Sequence, residues 1–282
     1  MSHVHEGKRV AMHQEMRMGV LIRLGYRAIA HVRNLSNFYL FSLSILWRVL
    51  RLHPLRGITK PVFFRQILFS GYDALLLISF IAVSISALLV LEVHQLIGQM
   101  GKGTVVYNLF VVVVNRQLSS LLIALVLIAR SGTAISTELG NMVVHNEIEL
   151  LHAIGISPFS YLVTPRVTGI VISMFSLTLY FNVVSMLSGG LFYELFYDVH
   201  MSDFFNSYLG HLTLSDFFMP VIKSILFGMA IGLICTYQGL KVGRASTEVP
   251  QRTMRAVVYS VLSIIVLNIL VTLANYELGV LS

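Results

Sequence analysis

Five stretches of this 282-residue chain are apolar over the roughly 20 residues that a helix needs to cross a bilayer, and they constrain the fold more than any other feature. They fall at about residues 72–93, 104–129, 167–193, 217–240 and 256–276. The third carries no charge, and the first is free of charge between Asp73 and Glu92. The second is interrupted by Asn115, Arg116 and Gln117, and the fourth holds Lys223 near its start. Composition agrees with a membrane setting. Charged residues make up 12% of the chain, against about 25% in an ordinary soluble domain. A surface so poor in charge excludes both a disordered chain and a soluble enzyme. The expected class is an all-α polytopic membrane protein.

The net charge of +7 raises the question of nucleic acid, and the position of the charges answers it. Eleven of the 20 Lys and Arg residues lie in the first 65 positions, and no nucleic-acid motif accompanies them. A basic arm ahead of the first long apolar run orients a membrane protein with that end in the cytoplasm. The connections at 130–166 and 241–255 then fall inside, with Arg130, Arg166, Lys241, Arg244, Arg252 and Arg255. The outer connections hold Lys102 and the acids Glu194, Asp198, Asp203 and Asp216. Seventeen of the 20 basic residues are thereby cytoplasmic, which predicts five spans with the N-terminus in and the C-terminus out. A shorter apolar stretch at 38–47, ending on Trp47 and followed by Arg48, Arg51 and Arg56, suits a helix lying in the interface plane. The expected organisation is a basic cytoplasmic and interfacial segment over 1–65 and a transmembrane domain over 66–282. The first 20 residues lack an apolar core of the kind a cleavable signal peptide has.

Motifs for chemistry fail one after another. The segment Gly98-Gln-Met-Gly-Lys-Gly-Thr104 lacks the spacing and the Ser or Thr of a phosphate loop. The ten histidines form no HExxH pair, and the single Cys235 allows neither an intrachain disulfide nor a paired-cysteine metal site. Ala129-Arg-Ser-Gly132 lacks the leading glycine of an intramembrane serine protease. The pairs Tyr72-Asp73 and Tyr197-Asp198 lack the second motif of an intramembrane aspartyl protease. No catalytic residue, metal site or cofactor is expected in this chain.

Three features remain. Arg116, placed in the middle of span two, costs about 2.5–3.5 kcal/mol to insert and so faces a cavity, a partner or a ligand, unless carbonyls and polar neighbours neutralise it. Lys223 either snorkels to the outer interface or joins Arg116 in holding an anionic headgroup, since no acid within the spans obviously neutralises both. The third feature is the segment 130–166. Its small-residue run Ser131-Gly-Thr-Ala-Ile-Ser-Thr137 leads into a helix-like stretch over 141–154, with Val144, Ile148 and Leu151 at helical spacing and Gly155 and Pro158 closing it. It is either an ordinary connecting helix on the membrane surface or a coupling helix offered to a separate motor protein. The pairs Gly228/Gly232 and Gly239/Gly243 permit close helix approach and suggest packing.

The order of these motifs resembles the permease subunits of the MlaE/YrbE family. The resemblance is carried by Arg116-Gln-Leu, Ala129-Arg-Ser-Gly-Thr-Ala-Ile-Ser-Thr-Glu-Leu-Gly140, Glu147-Ile-Glu-Leu-Leu-His-Ala-Ile-Gly155 and Tyr161-Leu-Val-Thr-Pro-Arg166. It continues through Lys223-Ser-Ile-Leu-Phe-Gly228, Tyr237-Gln-Gly239 and Thr253-Met-Arg-Ala-Val-Val258, and covers roughly residues 60–275. It implies an ABC-type permease of the bacterial inner membrane, working as a homodimer. The expected partners are a cytoplasmic ABC ATPase, which would carry the ATP and Mg, and an MCE-domain lipid-binding protein on the periplasmic side. The implied cargo is membrane phospholipid or a related lipid. By the same resemblance Arg116, Gln117 and Lys223 are the candidate lipid-binding residues, and Glu138, Glu147, Glu149 and His152 the candidate ATPase-coupling residues. Arg130, Gly132, Gly140, Pro165, Arg166, Tyr237, Gly239 and Arg255 belong to the structural motif.

Three departures stand out. Gln117 occupies a position where the family commonly has Glu, and Asn268 one where it often has an acid. Ser131 and Thr133 stand where Ala and smaller residues are usual. The competing function is a non-transporting membrane scaffold or assembly protein built from the same helices, with an intramembrane enzyme a distant third.

Overall fold

A computed structural model describes residues 36–49, 60–100, 110–197, 200–243 and 245–278. Most of the basic arm, together with Arg51, Arg56, Lys102, Asp198 and Arg244, lies outside these residues. The described residues are helical and contain no strand.

The chain divides into two units, residues 1–47 and 48–282. In the first, the described part is helix α1, which begins at residue 36 and whose last residues, 48 and 49, pass into the second unit. Tyr39, Leu40, Leu43 and Trp47 recur at helical spacing along it and are exposed, the apolar stripe that a helix in the interface plane requires.

The second unit contains five helical segments long and apolar enough to span a membrane: Lys60–Glu92, Val111–Val144, Phe159–Tyr197, Asp216–Leu240 and Glu248–Tyr276. The first is built from α2 (Lys60–Ser70) and α3 (Leu75–Met100), which runs on past Glu92, joined by one tight turn at Tyr72–Ala74, and the second is α4 (Val111–Val144). After α4 come the short α5 (Glu147–Ala153), α6 (Phe159–Tyr197), the outlying α7 (Met201–His211), α8 (Leu214–Leu240) and α9 (Glu248–Leu278). The number of spans agrees with the hydropathy of the sequence, and their lengths do not. Span two begins near Val111 and runs on to Val144, through the small-residue run expected to lie in a connection. Arg116 therefore sits in its first turns and not at its middle.

The run 131–140 stays helical because its polar side chains are satisfied locally or packed. The Thr133 hydroxyl donates to the Ala129 and Arg130 carbonyls at 2.7 and 3.0 Å. Ser131, Gly132, Ile135, Ser136, Leu139 and Gly140 are buried. The expected single helix over 141–154 is broken in two at His145–Asn146, where Asn146 takes a left-handed conformation with φ 58°. Asn is one of the few residues that tolerate this.

Packing centres on α6 and α8. At Gly228 a Cβ would come within 2.9 Å of Val171 Cα, and at Gly232 within 3.1 Å of Val167 Cα. The two glycines are what allows the backbones to meet. Gly239 meets the backbone of Ser136 in α4, so it is also a packing position. Its expected partner Gly243 lies past the end of α8, and its amide donates to the Glu248 carboxylate at 3.0 Å. The buried core includes Ile78, Val114, Leu127, Ile170, Phe181, Phe227 and Ile231. The outermost span is α9, of which 17% is buried against 56% for α8. Met254, Val258, Leu262, Ile265, Ile269 and Leu273 expose one continuous apolar face on it.

Candidate functional site

The chain re-enters the bundle at α4 through a π-helical stretch, Val111–Leu118, which contains Asn115, Arg116 and Gln117. Wide turns of this kind recur at functional sites because they re-aim side chains. Opposite them, Thr213 and Asp216 open α8 with a capping box. The Thr213 amide and hydroxyl each donate to Asp216 Oδ2 at 2.7 Å. Asp216 Oδ1 takes the Arg116 Nε–H in an ion pair, and Arg116 also reaches the Thr213 hydroxyl at 3.2 Å. The Asp216 side chain is wholly buried, whereas 26% of the Arg116 side chain is exposed. By hydropathy alone Asp216 falls in the outer connection, which leaves Arg116 without an obvious neutralising acid. In the structure Asp216 lies in the first turn of α8 and closes the pair.

Lys223, two turns further along α8, does not snorkel. It is 2% exposed and turns inward. Its ammonium donates to the Gln117 side-chain oxygen at 2.7 Å, the Arg116 carbonyl at 3.0 Å and the Thr272 hydroxyl of α9 at 3.3 Å. Gln117 in turn donates to Thr272 at 3.5 Å. The three ammonium protons are thus matched by three neutral oxygens, and among the described residues no carboxylate pairs with Lys223. Arg116 and Asp216 cancel, which leaves the cluster with a net charge of +1 inside the bundle. Two buried side-chain oxygens of α9, Oδ1 of Asn268 and of Asn275, have no hydrogen-bond partner.

A neighbouring aromatic group holds α7 over this end. Phe204 stacks on Tyr208 at 6.0 Å, and Phe110 meets both edge-on at 6.0 Å. Asn115 Nδ2 donates to the Tyr208 hydroxyl at 2.6 Å. Burial pushes the Tyr208 phenol up to about 12, with the nearby Asp216 charge adding to the rise, so this contact keeps its proton at any working pH.

The other end of the spans gathers the second set of motif residues. Arg130 lies in another π-helical turn, pairs with Asp73 at 2.9 Å and lies over the Phe69 ring at 5.3 Å. The Tyr72-Asp73 pair is therefore part of an ion pair between spans. Buried Arg166 bonds Glu138 at 2.9 Å, next to buried Pro165. Gly132 and Gly140 pack against Cys235 and against Val242 and Val249. Tyr237 is half-buried under Lys241, and Arg255 is exposed. On α5 the Ile148 and Leu151 side chains pack on the core, while Glu147, Glu149 and His152 are exposed. Thus Arg116, Gln117 and Lys223 come together, joined by Asp216, Thr213 and Thr272, which the sequence reading missed. The four coupling candidates divide, with the exposed Glu138 on α4 in an ion pair with buried Arg166 and the other three on the surface of α5.

Comparison with known proteins assigns this architecture. The family model described as "Permease MlaE" matches residues 63–274, most of the chain. The chain belongs to the MlaE permease family. A probable ABC transporter permease protein of Rickettsia bellii is 26% identical over 91% of this chain and 98% of its own length. A probable ABC transporter permease protein of Synechocystis is 28% identical over 77% of this chain and 83% of its own. The intermembrane phospholipid transport system permease protein MlaE of Haemophilus influenzae is 24% identical over 78% and 84%. The MlaE-family match spans both ends just described, so the Lys223 cluster and the Glu138–Arg166 pair belong to the body of an ABC-transporter permease subunit.

Proposed function

We propose that this permease moves phospholipid, or a closely related lipid, across or out of a bacterial inner membrane, with its N-terminus cytoplasmic and its C-terminus periplasmic. Two copies form the translocating core, the exposed apolar face of α9 being the surface available for a second copy. A cytoplasmic ABC ATPase binds at α5 and supplies the energy, ATP and Mg residing on that partner, and an MCE-domain protein exchanges lipid on the periplasmic side. The permease itself performs no chemistry.

The observation that carries this reading is Lys223. A cation held among neutral oxygens inside an apolar bundle, with no carboxylate partner among the described residues, is what an anionic phosphate headgroup requires. The surrounding helices offer apolar surface for acyl chains. The printed name of the Haemophilus relative, a phospholipid transport permease, points the same way.

Mass spectrometry of lipids retained by the gently purified complex tests it. The expected result is stoichiometric phospholipid that falls in Lys223→Met, together with a co-purifying ATPase. A preparation with neither lipid nor ATPase would favour a non-transporting scaffold.

A further inference from the structure

A second amphiphilic cavity lies far from Lys223. Glu138 follows Arg116 by 22 residues on one helix, about 33 Å at the rise of an α-helix. There a half-open cavity of about 300 Å³ lies between α2, the last turns of α4 and the start of α6. Its walls are apolar at Val62, Phe69, Ile135 and Leu162, and Arg65, Glu138 and Arg166 bring charge to it.

The charge is unbalanced in a specific way. Arg166 is 4% exposed, and one guanidinium nitrogen donates to Glu138 at 2.9 Å while Nη1 is buried with no partner. Arg65 is exposed, forms no ion pair among the described residues and adds its repulsion to Arg166. Two guanidiniums and one carboxylate leave a net +1 at the mouth of an apolar pocket. Guanidinium groups match phosphate oxygens in geometry as well as charge.

We propose that this cavity is a binding site for a phosphate-bearing anion, separate from the Lys223 cluster, with Arg65 and Arg166 holding the phosphate. A lipid headgroup is one source of such a group, its chain lying along Phe69 and Leu162, and free phosphate is the other. The site does not depend on what the permease transports, and its occupant would bear on the junction between α2 and the Glu138 end of α4.

Two measurements on the full chain in phosphatidylcholine nanodiscs test this. The first compares photoactivatable phosphatidylglycerol with photoactivatable phosphatidylcholine by mapping adducts on residues 60–69, 134–142 and 159–166. One basic side chain near a membrane surface is worth about a fivefold preference for the anionic lipid. That excess is expected in the native chain, kept in Arg65→Lys and lost in Arg65→Gln, an exposed position whose replacement leaves the Arg166–Glu138 pair in place. The second measures protection of Arg65 from phenylglyoxal by millimolar inorganic phosphate. Excess labelling without protection identifies a lipid headgroup, protection without excess identifies free phosphate, and both together mean that either can occupy the site. Neither effect, or an excess that survives Arg65→Gln, would overturn the proposal.

Discussion

The two charged ends of this permease handle the same problem differently. At the Arg116 end the acid is sealed: Asp216 is fully buried, bound by Arg116 on one oxygen and by Thr213 twice on the other. At the Arg166 end the cation is sealed and the acid is not, since Glu138 keeps 61% of its side chain exposed. A buried charge with every bonding position filled is rigid and depends on its partner, because water cannot replace that partner once it is removed. A buried charge paired with an exposed one can exchange its partner for water or for another molecule. The first end therefore suits a fixed binding geometry, and the second suits contact with something that comes and goes.

The sharpest way to break this contrast is to remove one acid from each end. Asp216→Ala leaves Arg116 without its anion and α8 without its cap. The expected loss is about 3 kcal/mol, the low end for a broken buried pair because a quarter of Arg116 remains exposed. Thermal unfolding in detergent should show it as a large drop in midpoint, with reduced yield. Glu138→Ala leaves the buried Arg166 without its acid, yet the exposed place of the lost carboxylate lets water reach that guanidinium, so a smaller loss of about 2 kcal/mol is expected. Equal losses at the two ends would show that burial of the acid is not what separates them.

A gentler change sharpens the comparison at the Lys223 end. Gln117→Glu places a carboxylate where the amide oxygen now accepts from Lys223 at 2.7 Å. A charge-assisted bond is stronger than a neutral one, but the added charge must be desolvated, so a gain of up to about 1 kcal/mol is expected. The cluster then changes from +1 to neutral. If Lys223 recruits an anionic headgroup, retained anionic lipid should fall in this variant while stability holds or rises. Unchanged lipid retention would separate Lys223 from cargo binding.

Much of this architecture is legible in the sequence, and what is not has physical causes. All five spans follow from apolar runs, since hydropathy is additive along the chain. The extension of span two to Val144 does not, because Ser131, Thr133 and Ser136 look like a connection on any hydropathy scale. Thr133 remains in the helix through bonds to its own backbone, and Ser131 and Ser136 are held there by burial, with Gly239 of α8 packed on the backbone of Ser136. The break at His145–Asn146 is equally hidden, as the apolar spacing of Val144, Ile148 and Leu151 continues across it. Asp216 did leave a signal. Thr213-x-x-Asp216 ahead of an apolar run has the form of a capping box, which would have moved the acid from a connection into the helix. Thr272 left none, because its role exists only once α9 lies beside Gln117 and Lys223.

The smallest expected effect on stability belongs to Glu147, where the difference between the two ends becomes a difference between ligand and protein partner. α5 turns Ile148 and Leu151 toward the core and leaves Glu147, Glu149, Leu150 and His152 outward. Beside it a cavity of about 250 Å³, lined by Val143, Ile148, Glu149, His152, Phe159 and Leu240, indents the same surface. Glu147 makes no ion pair among the described residues, so Glu147→Arg removes nothing from the fold. Its cost to stability should lie within about 1 kcal/mol, as for an exposed charge. Against an ATPase surface that receives an acid, the reversed charge meets its like, and such a juxtaposition costs several kcal/mol, on the order of a hundredfold or more in affinity. The expected outcome is a permease that inserts and unfolds at the native midpoint but loses its co-purifying ATPase, or retains it with hydrolysis no longer linked to lipid movement. Native co-purification together with native transport would remove Glu147 from the contact. The coupling surface would then have to be sought at Leu150 and Ile154, the exposed apolar residues at the end of the same segment.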